Sequence, residues 1–262
     1  MTQSAAQPAT RKGASRAADI PADILAALER GELQSATLTE CLALNQVTLL
    51  RAVFPKLPPA AMQQAQAASQ LGILKRMASI GAILMEQLGA AGIARCQAHP
   101  SDTVRGWACF MAGMRPGLDL SQRLAAIRAL ADDPHFGVRE WAWMAVRPHL
   151  AADLDTSIAL LAAWTTSPSE RLRRFATEAL RPRGVWCAHI TALKKHPAQA
   201  LPLLDALKAD PSPYVQDSVA NWLNDAAKDS PDWVRALCQR WQQHEPADAT
   251  RRICSRALRN LR

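Results

Sequence analysis

A repeat in the second half of the chain leaves few folds open to it. Ser101-Asp-Thr-Val-Arg-Gly-Trp-Ala108 is followed by Asp133-Pro-His-Phe-Gly-Val-Arg-Glu-Trp-Ala142, Ser167-Pro-Ser-Glu-Arg-Leu-Arg-Arg-Phe-Ala176 and Asp210-Pro-Ser-Pro-Tyr-Val-Gln-Asp-Ser-Val219. Glu245-Pro-Ala-Asp-Ala-Thr-Arg-Arg252 is a weaker fifth copy. The apolar anchors Val104, Val138, Leu172 and Val215 lie 34, 34 and 43 residues apart. Apolar helical segments such as Ser121–Asp132 fill the intervals, so each unit reads helix, turn, helix. Asp-Pro or Ser-Pro predicts an N-cap followed by proline at the first helical position. A period of roughly 35–45 residues is that of HEAT-type arrays, in which one pair cannot bury its apolar face alone and must stack. The expected fold is all-α: a right-handed superhelical solenoid of HEAT-like pairs. Its concave basic groove would be lined by the second helix of each pair.

The remainder of the chain fits this scheme. Residues 1–20 are small, polar and basic and are expected to be a disordered tail. Residues 21–262 are expected to form a single repeat domain, clearest from about residue 100. Pro21 opens a helix that closes at Gly31, and Thr37–Glu40 has the pattern of a capping box. Lys56-Leu-Pro-Pro59 breaks the chain before a long helical region over 60–98. No segment alternates apolar and polar residues long enough for a strand. The formal charge of +8 points to an anionic partner, nucleic acid before others. The six cysteines form no CxxC and have no histidine at zinc spacing, and His149, His189 and His196 make no metal set. Free buried thiols suit the cytosol. With no apolar leader and no run of about eighteen uncharged apolar residues, a soluble protein is expected.

Chemistry appears when the second helices are aligned by their anchors. Residues 138–148 match 172–182 without a gap, and both end in Arg-Pro. Leu172, Phe175, Ala176, Ala179 and Leu180 mark the buried stripe of the second copy. Its other ridge carries Arg174, Glu178 and Arg181, at i, i+4 and i+7. The equivalent ridges are Glu140, Met144 and Arg147 in the preceding repeat, and Asp217, Asn221 and Asn224, beside Asp225, in the next. Guanidinium groups suit phosphate oxygens. Arg105, Arg139, Arg147, Arg173, Arg174, Arg181 and Arg183 are expected as a stripe along the groove. Carboxylates repel phosphate and need a separate reason to be there. Departure of a damaged, cationic base leaves an oxocarbenium-like sugar, which a carboxylate stabilises. Trp107, Trp141 and Trp222 fall at core positions. Trp186 lies in a loop at the mouth of the expected groove, where an indole can pack on a sugar or base.

Two runs carry a family resemblance. Arg173-Arg-Phe-Ala-Thr-Glu-Ala-Leu-Arg-Pro-Arg183 with Trp186, and Ser218-Val-Ala-Asn-Trp-Leu-Asn-Asp225, resemble the AlkC-type bacterial DNA alkylation repair glycosylases. Weaker similarity reaches from about residue 22 to the end. The resemblance implies a HEAT-like fold related to the AlkD glycosylases. It also implies removal of 3-methyladenine-like cationic bases from damaged duplex DNA, without flipping the base and without metal or organic cofactor, by a monomer in the bacterial cytosol and nucleoid. It assigns Glu140, Glu178 and Asp225 to the lesion sugar. Arg139, Arg147, Arg174, Arg181, Arg183, Trp186, Asn221 and Asn224 are assigned to DNA. The chain departs from the family pattern at Ala179, at Gly184-Val185 and at Trp222, which is expected to alter the groove. A non-catalytic scaffold binding DNA or protein is the alternative.

Overall fold

The computed structural model describes residues 11–243 and 245–261. Among them no strand occurs. The described residues fall into two compact units, with the boundary after Met111.

The first unit contains α1 (Ala22–Glu29), α2 (Leu38–Ala43), α3 (Gln46–Val53), α4 (Pro59–Ala68), α5 (Ile73–Gln97) and most of α6 (Asp102–Gly113). Leu28, Leu49, Leu50, Met77, Ile80, Leu84 and Trp107 form its core. The expected tail is tied down from residue 11 onward; residues 1–10 lie outside the described residues. The cause is Glu40, whose buried carboxylate accepts from both terminal nitrogens of Arg11 and from the backbone N–H groups of Ala14 and Ala36. A buried carboxylate must find such donors, and the N-terminal segment supplies most of them. The Thr37 hydroxyl caps α2 through the N–H of Glu40, so half of the predicted capping box forms. The helical region over 60–98 is two helices, and Gly89 at φ 58° breaks the second. That left-handed backbone is open to glycine without strain. By length and composition α5 is able to cross a bilayer. Its Met77, Ile80, Ile83 and Leu84 are buried in the core of the unit.

The second unit is a run of helix pairs. They are α7 (Leu120–Ala131) with α8 (Phe136–Ala152), and α9 (Leu154–Ala162) with α10 (Glu170–Glu178). The short α11 (Thr191–Lys195) precedes α12 (Leu201–Leu207) with α13 (Pro213–Ala226), and α14 (Pro231–Trp241) pairs with α15 (Asp248–Ala257). The second helices α8, α10, α13 and α15 are successive neighbours. Thr250 of α15 occupies the place of the anchors Val138, Leu172 and Val215, and all four are buried. The stripe Leu172, Phe175, Ala176, Ala179 and Leu180 is buried as expected. Each large apolar side chain in it contributes about 1.5–3 kcal/mol over its exposed state.

The repeated turn is built differently from the sequence expectation. Asp133, Ser167 and Asp210 stand two residues before the N-cap and accept from the N–H of His135, Ser169 and Ser212, which take the N-cap positions. The residue after each anchor then folds back over the turn. Nη1 of Arg105 donates to the carbonyls of His99 and Pro100, that of Arg139 to Asp133 and Pro134, and that of Arg173 to Ser167 and Pro168. Gln216 repeats this on Asp210. The motif therefore satisfies carbonyls that a turn leaves unpaired. The two Arg-Pro endings also differ. Pro148 lies inside α8, which continues to Ala152 because Leu150 extends its buried stripe, whereas α10 ends at Glu178 in tight turns.

Candidate functional site

Across the ridges of α8, α10 and α13 runs a line of alternating charge. Glu140 lies 2.7 Å from Arg174. Arg174 lies 3.6 Å from Glu178, which is 2.8 Å from Arg181. Arg181 reaches Asp225 at 2.7 Å, and Lys228 closes the far end at 3.4 Å from Asp225. The carboxylates of Glu140, Glu178 and Asp225, from three successive repeats, thus meet in one place. The side chain of Glu140 is 29% exposed, against 4% for Glu178 and 7% for Asp225. The outer acid is accessible and the inner two form a floor.

Each member is held by groups the sequence did not advertise. Ser218 donates to Glu178 Oε2 at 2.6 Å, and Trp143 Nε1 donates to Glu140 Oε2 at 2.8 Å. The ring of Tyr214 lies 4.5 Å from the Arg174 guanidinium, and its hydroxyl accepts from Arg139 Nε at 3.0 Å. Burial alone would push the Glu178 carboxyl up. The charges of Arg174 and Arg181 and the Ser218 hydrogen bond outweigh it and hold the carboxyl below its ordinary range. Burial likewise works against the Arg174 cation, and the charges of Glu178 and Glu140 overcome it, so its pKa is raised. Glu178 is therefore ionised at neutral pH. Three acids stand against three cations, Arg174, Arg181 and Lys228, so the line as a whole is balanced, and Lys228, 48% exposed, is its most accessible cation.

Several residues expected to face DNA are engaged elsewhere. Arg147 is buried and donates to the carbonyls of Ala179, Arg181 and Ala188; its role is to pin the chain after α10. A side chain at Gly184 would come within 3.1 Å of that guanidinium, which accounts for glycine there. Asn224 is buried and donates to the Ala257 carbonyl, so it is a packing residue. Arg139 serves its turn and Tyr214, and Arg105 and Arg173 serve their turns; Arg173 also forks onto Asp210. The expected stripe of seven arginines is thus reduced to Arg174, Arg181 and Arg183 on this face. Arg183 pairs with Asp229, and Asn221 accepts from Arg259. Trp222 does not enter any groove; it is buried and donates to the Leu180 carbonyl. Trp107 and Trp141 are buried, as the sequence implies. Trp186 has φ 61°, is 45% exposed, and stacks on Trp141 at 6.2 Å between ring centroids.

A helical-repeat protein with a buried line of carboxylates and arginines across consecutive repeats is the class these observations define. Residues 118–261, more than half of the chain, match the family described as DNA alkylation repair enzyme, and the chain belongs to that family. It is similar to the Pseudomonas fluorescens alkylpurine DNA glycosylase AlkC, whose structure was solved bound to DNA containing an abasic site analog. Identity is 29% and the TM-score 0.65, over 82% of this chain and 60% of that one. The fold is also that of AlkD2 from Streptococcus mutans, at 21% identity and TM-score 0.55, over 81% of this chain and 96% of that one. A segment of 65 residues, 25% of this chain, is 43% identical to the uncharacterized protein YhaZ of Bacillus subtilis and spans 18% of it.

Proposed function

We propose that this protein is a monofunctional DNA glycosylase that hydrolyses the N-glycosidic bond of alkylated, cationic bases in duplex DNA. The observation that carries the reading is the convergence of Glu140, Glu178 and Asp225, from three successive repeats, on one face. An alkylated purine already bears the positive charge that makes it a leaving group. As the C1′–N bond breaks, its electron pair goes to the base, which leaves neutral. Positive charge moves to the sugar, where ionised carboxylates held in a low-dielectric setting stabilise it. Water then adds to C1′ and gives up one proton, for which Glu140, the most exposed of the three, is the acceptor. Arg174 and Arg181 orient the acids and offer guanidinium donors to flanking phosphates.

The acids are spread along three helix ridges and fixed by ion pairs. That arrangement supports action on the lesion within the stack, in contrast to enzymes that extrude the nucleotide. The same reading has the protein act as a monomer in the bacterial cytosol, with no metal or organic cofactor. The alternative, a non-catalytic scaffold for DNA or protein, draws on one observation: every acid already has a cationic partner. Methylated duplex DNA incubated with the purified protein separates the two. Release of 3-methyladenine is expected, falling about 100-fold or more in Glu178→Gln with DNA affinity kept. Undiminished release from Glu140→Gln, Glu178→Gln and Asp225→Asn alike would dispose of the catalytic reading.

A further inference from the structure

The last repeat carries a second set of arginines that the charged line does not use. On α15 and the turn after it, Arg252, Arg256 and Arg259 lie at i, i+4 and i+7. Counted from Thr250, they occupy the register that Arg174, Glu178 and Arg181 occupy from Leu172, and Asp217, Asn221 and Asn224 from Val215. The register is realised in space. Arg252 lies 2.7 Å from Asp217, Arg256 Nε lies 3.1 Å from the same carboxylate, and Arg259 donates to Asn221. The ridge of α15 therefore shares a face with the ridge of α13, which in turn borders Asp225 and Arg181.

These arginines differ from the buried ones of the line. The side chains of Arg252 and Arg256 are 38% and 45% exposed, and the two share a single acid. The turn arginine of the same helix, Arg251, is neutralised by Asp248 and lies outside this row. Three guanidinium groups against one carboxylate leave a net charge of plus two on a solvent-facing ridge. It adjoins the charge-balanced line of carboxylates and arginines. Nothing in helix packing calls for that accumulation, since like charges at i, i+4 weaken a helix.

We infer that Arg252, Arg256 and Arg259 form a phosphate-binding ridge that grips the duplex to one side of the lesion. The inference rests on the DNA-binding part of the function proposed above. The carboxylate line and the ridge divide the work. The acids occupy the place where a cation develops, and the arginines occupy the backbone beyond it. Neighbouring helices pack about 9 Å apart, so two helix steps from α10 to α15 span about 18 Å. At 3.4 Å per base pair that is about five base pairs of duplex. That sets the reach of the footprint on the α15 side.

The experiment is anisotropy titration of an undamaged fluorescent duplex over a series of salt concentrations. It compares the wild type with Arg252→Gln/Arg256→Gln/Arg259→Gln and with the matching triple lysine variant. Each lost phosphate contact removes about 0.9 from the slope of log K against log salt, so the glutamine variant should be shallower by about 2.7. Over a fourfold range of salt the wild type then loses about 40-fold more affinity than the variant. The lysine variant should keep the slope, which separates charge from misfolding. In a second arm the wild-type protein is given duplexes trimmed from either end around one methylated base. On the side that the ridge grips, affinity should drop once fewer than about five base pairs remain. Equal slopes in wild type and glutamine variant, or affinity unchanged by trimming either side to fewer than about five base pairs, would overturn the inference. DNA binding with this slope change but no base release would sink the glycosylase reading and leave the ridge standing.

Discussion

Removing the cation between two buried acids tests the charged line directly. In Arg181→Met the methionine keeps much of the volume, but Glu178 and Asp225 lose the guanidinium that lies 2.8 and 2.7 Å away. Breaking a buried pair by deleting one partner costs about 3–5 kcal/mol. Glu178 retains Arg174 and Ser218, and Asp225 retains Lys228, so the lower end, about 3 kcal/mol at pH 7, is expected. The pH dependence has a definite sign. The Glu178 carboxyl is held below its unfolded value, so its contribution is present above the ordinary carboxylate range and fades as pH falls through the depressed folded value. In the variant, burial is opposed by less charge, so the folded protein accepts the proton more readily. The difference between the two proteins should therefore narrow as pH falls from 7 toward 4. Urea denaturation followed by circular dichroism at several pH values measures it. A loss under about 1 kcal/mol at pH 7, or a gap equally wide at pH 4, would show that the line is not a coupled charge network.

Further outcomes concern the supports of the site. Arg147→Met leaves three carbonyls unpaired, at about 1–3 kcal/mol each, and should lower the thermal midpoint and open the 183–190 loop to limited proteolysis; an unchanged cleavage pattern would contradict the pinning role. Tyr214→Phe keeps the ring over Arg174 and loses only the Arg139 hydrogen bond, costing about 1 kcal/mol with base release nearly unchanged, whereas Tyr214→Ala should reduce release about tenfold; equal activities of the two variants would exclude the ring. Trp186→Ala should weaken binding of methylated duplex several-fold while leaving urea stability within about 0.5 kcal/mol, because the indole is largely exposed; unaltered affinity would reduce it to a cover for Trp141.

The repeat and the acidic ridge were legible because each is a matter of spacing. Anchors at near-constant intervals stack, and residues at i, i+4 and i+7 share a face. The uses of individual polar residues were not. Arg147 and Arg181 both precede a proline in aligned repeats, yet one is buried under carbonyls and the other bridges two acids. They part because α8 runs on past Pro148 while α10 stops at Glu178, a choice made by the packing of Leu150 and by the loop that follows. Ser218 supports Glu178 from 40 positions away, a relation no local pattern records. The recurring arginine after each anchor looked like a ligand for phosphate because recurrence is also what a binding stripe produces. Its constancy comes instead from the turn, whose two carbonyls need the same donor each time.

The order of signs along the stack bears on how the second unit assembles. Helices with similar apolar stripes are able to lie against the wrong neighbour while the chain is still finding its fold. Here Glu140 faces Arg174 and Asp217 faces Arg252, so each true neighbour presents the opposite charge. Seating α13 directly on α8 would bring Asp217 against Glu140, and seating α15 on α10 would bring Arg252 against Arg174; like charges forced together in a partly buried seam are disfavoured. The ridge thus works as an address written in charge, disfavouring skipped or transposed repeats.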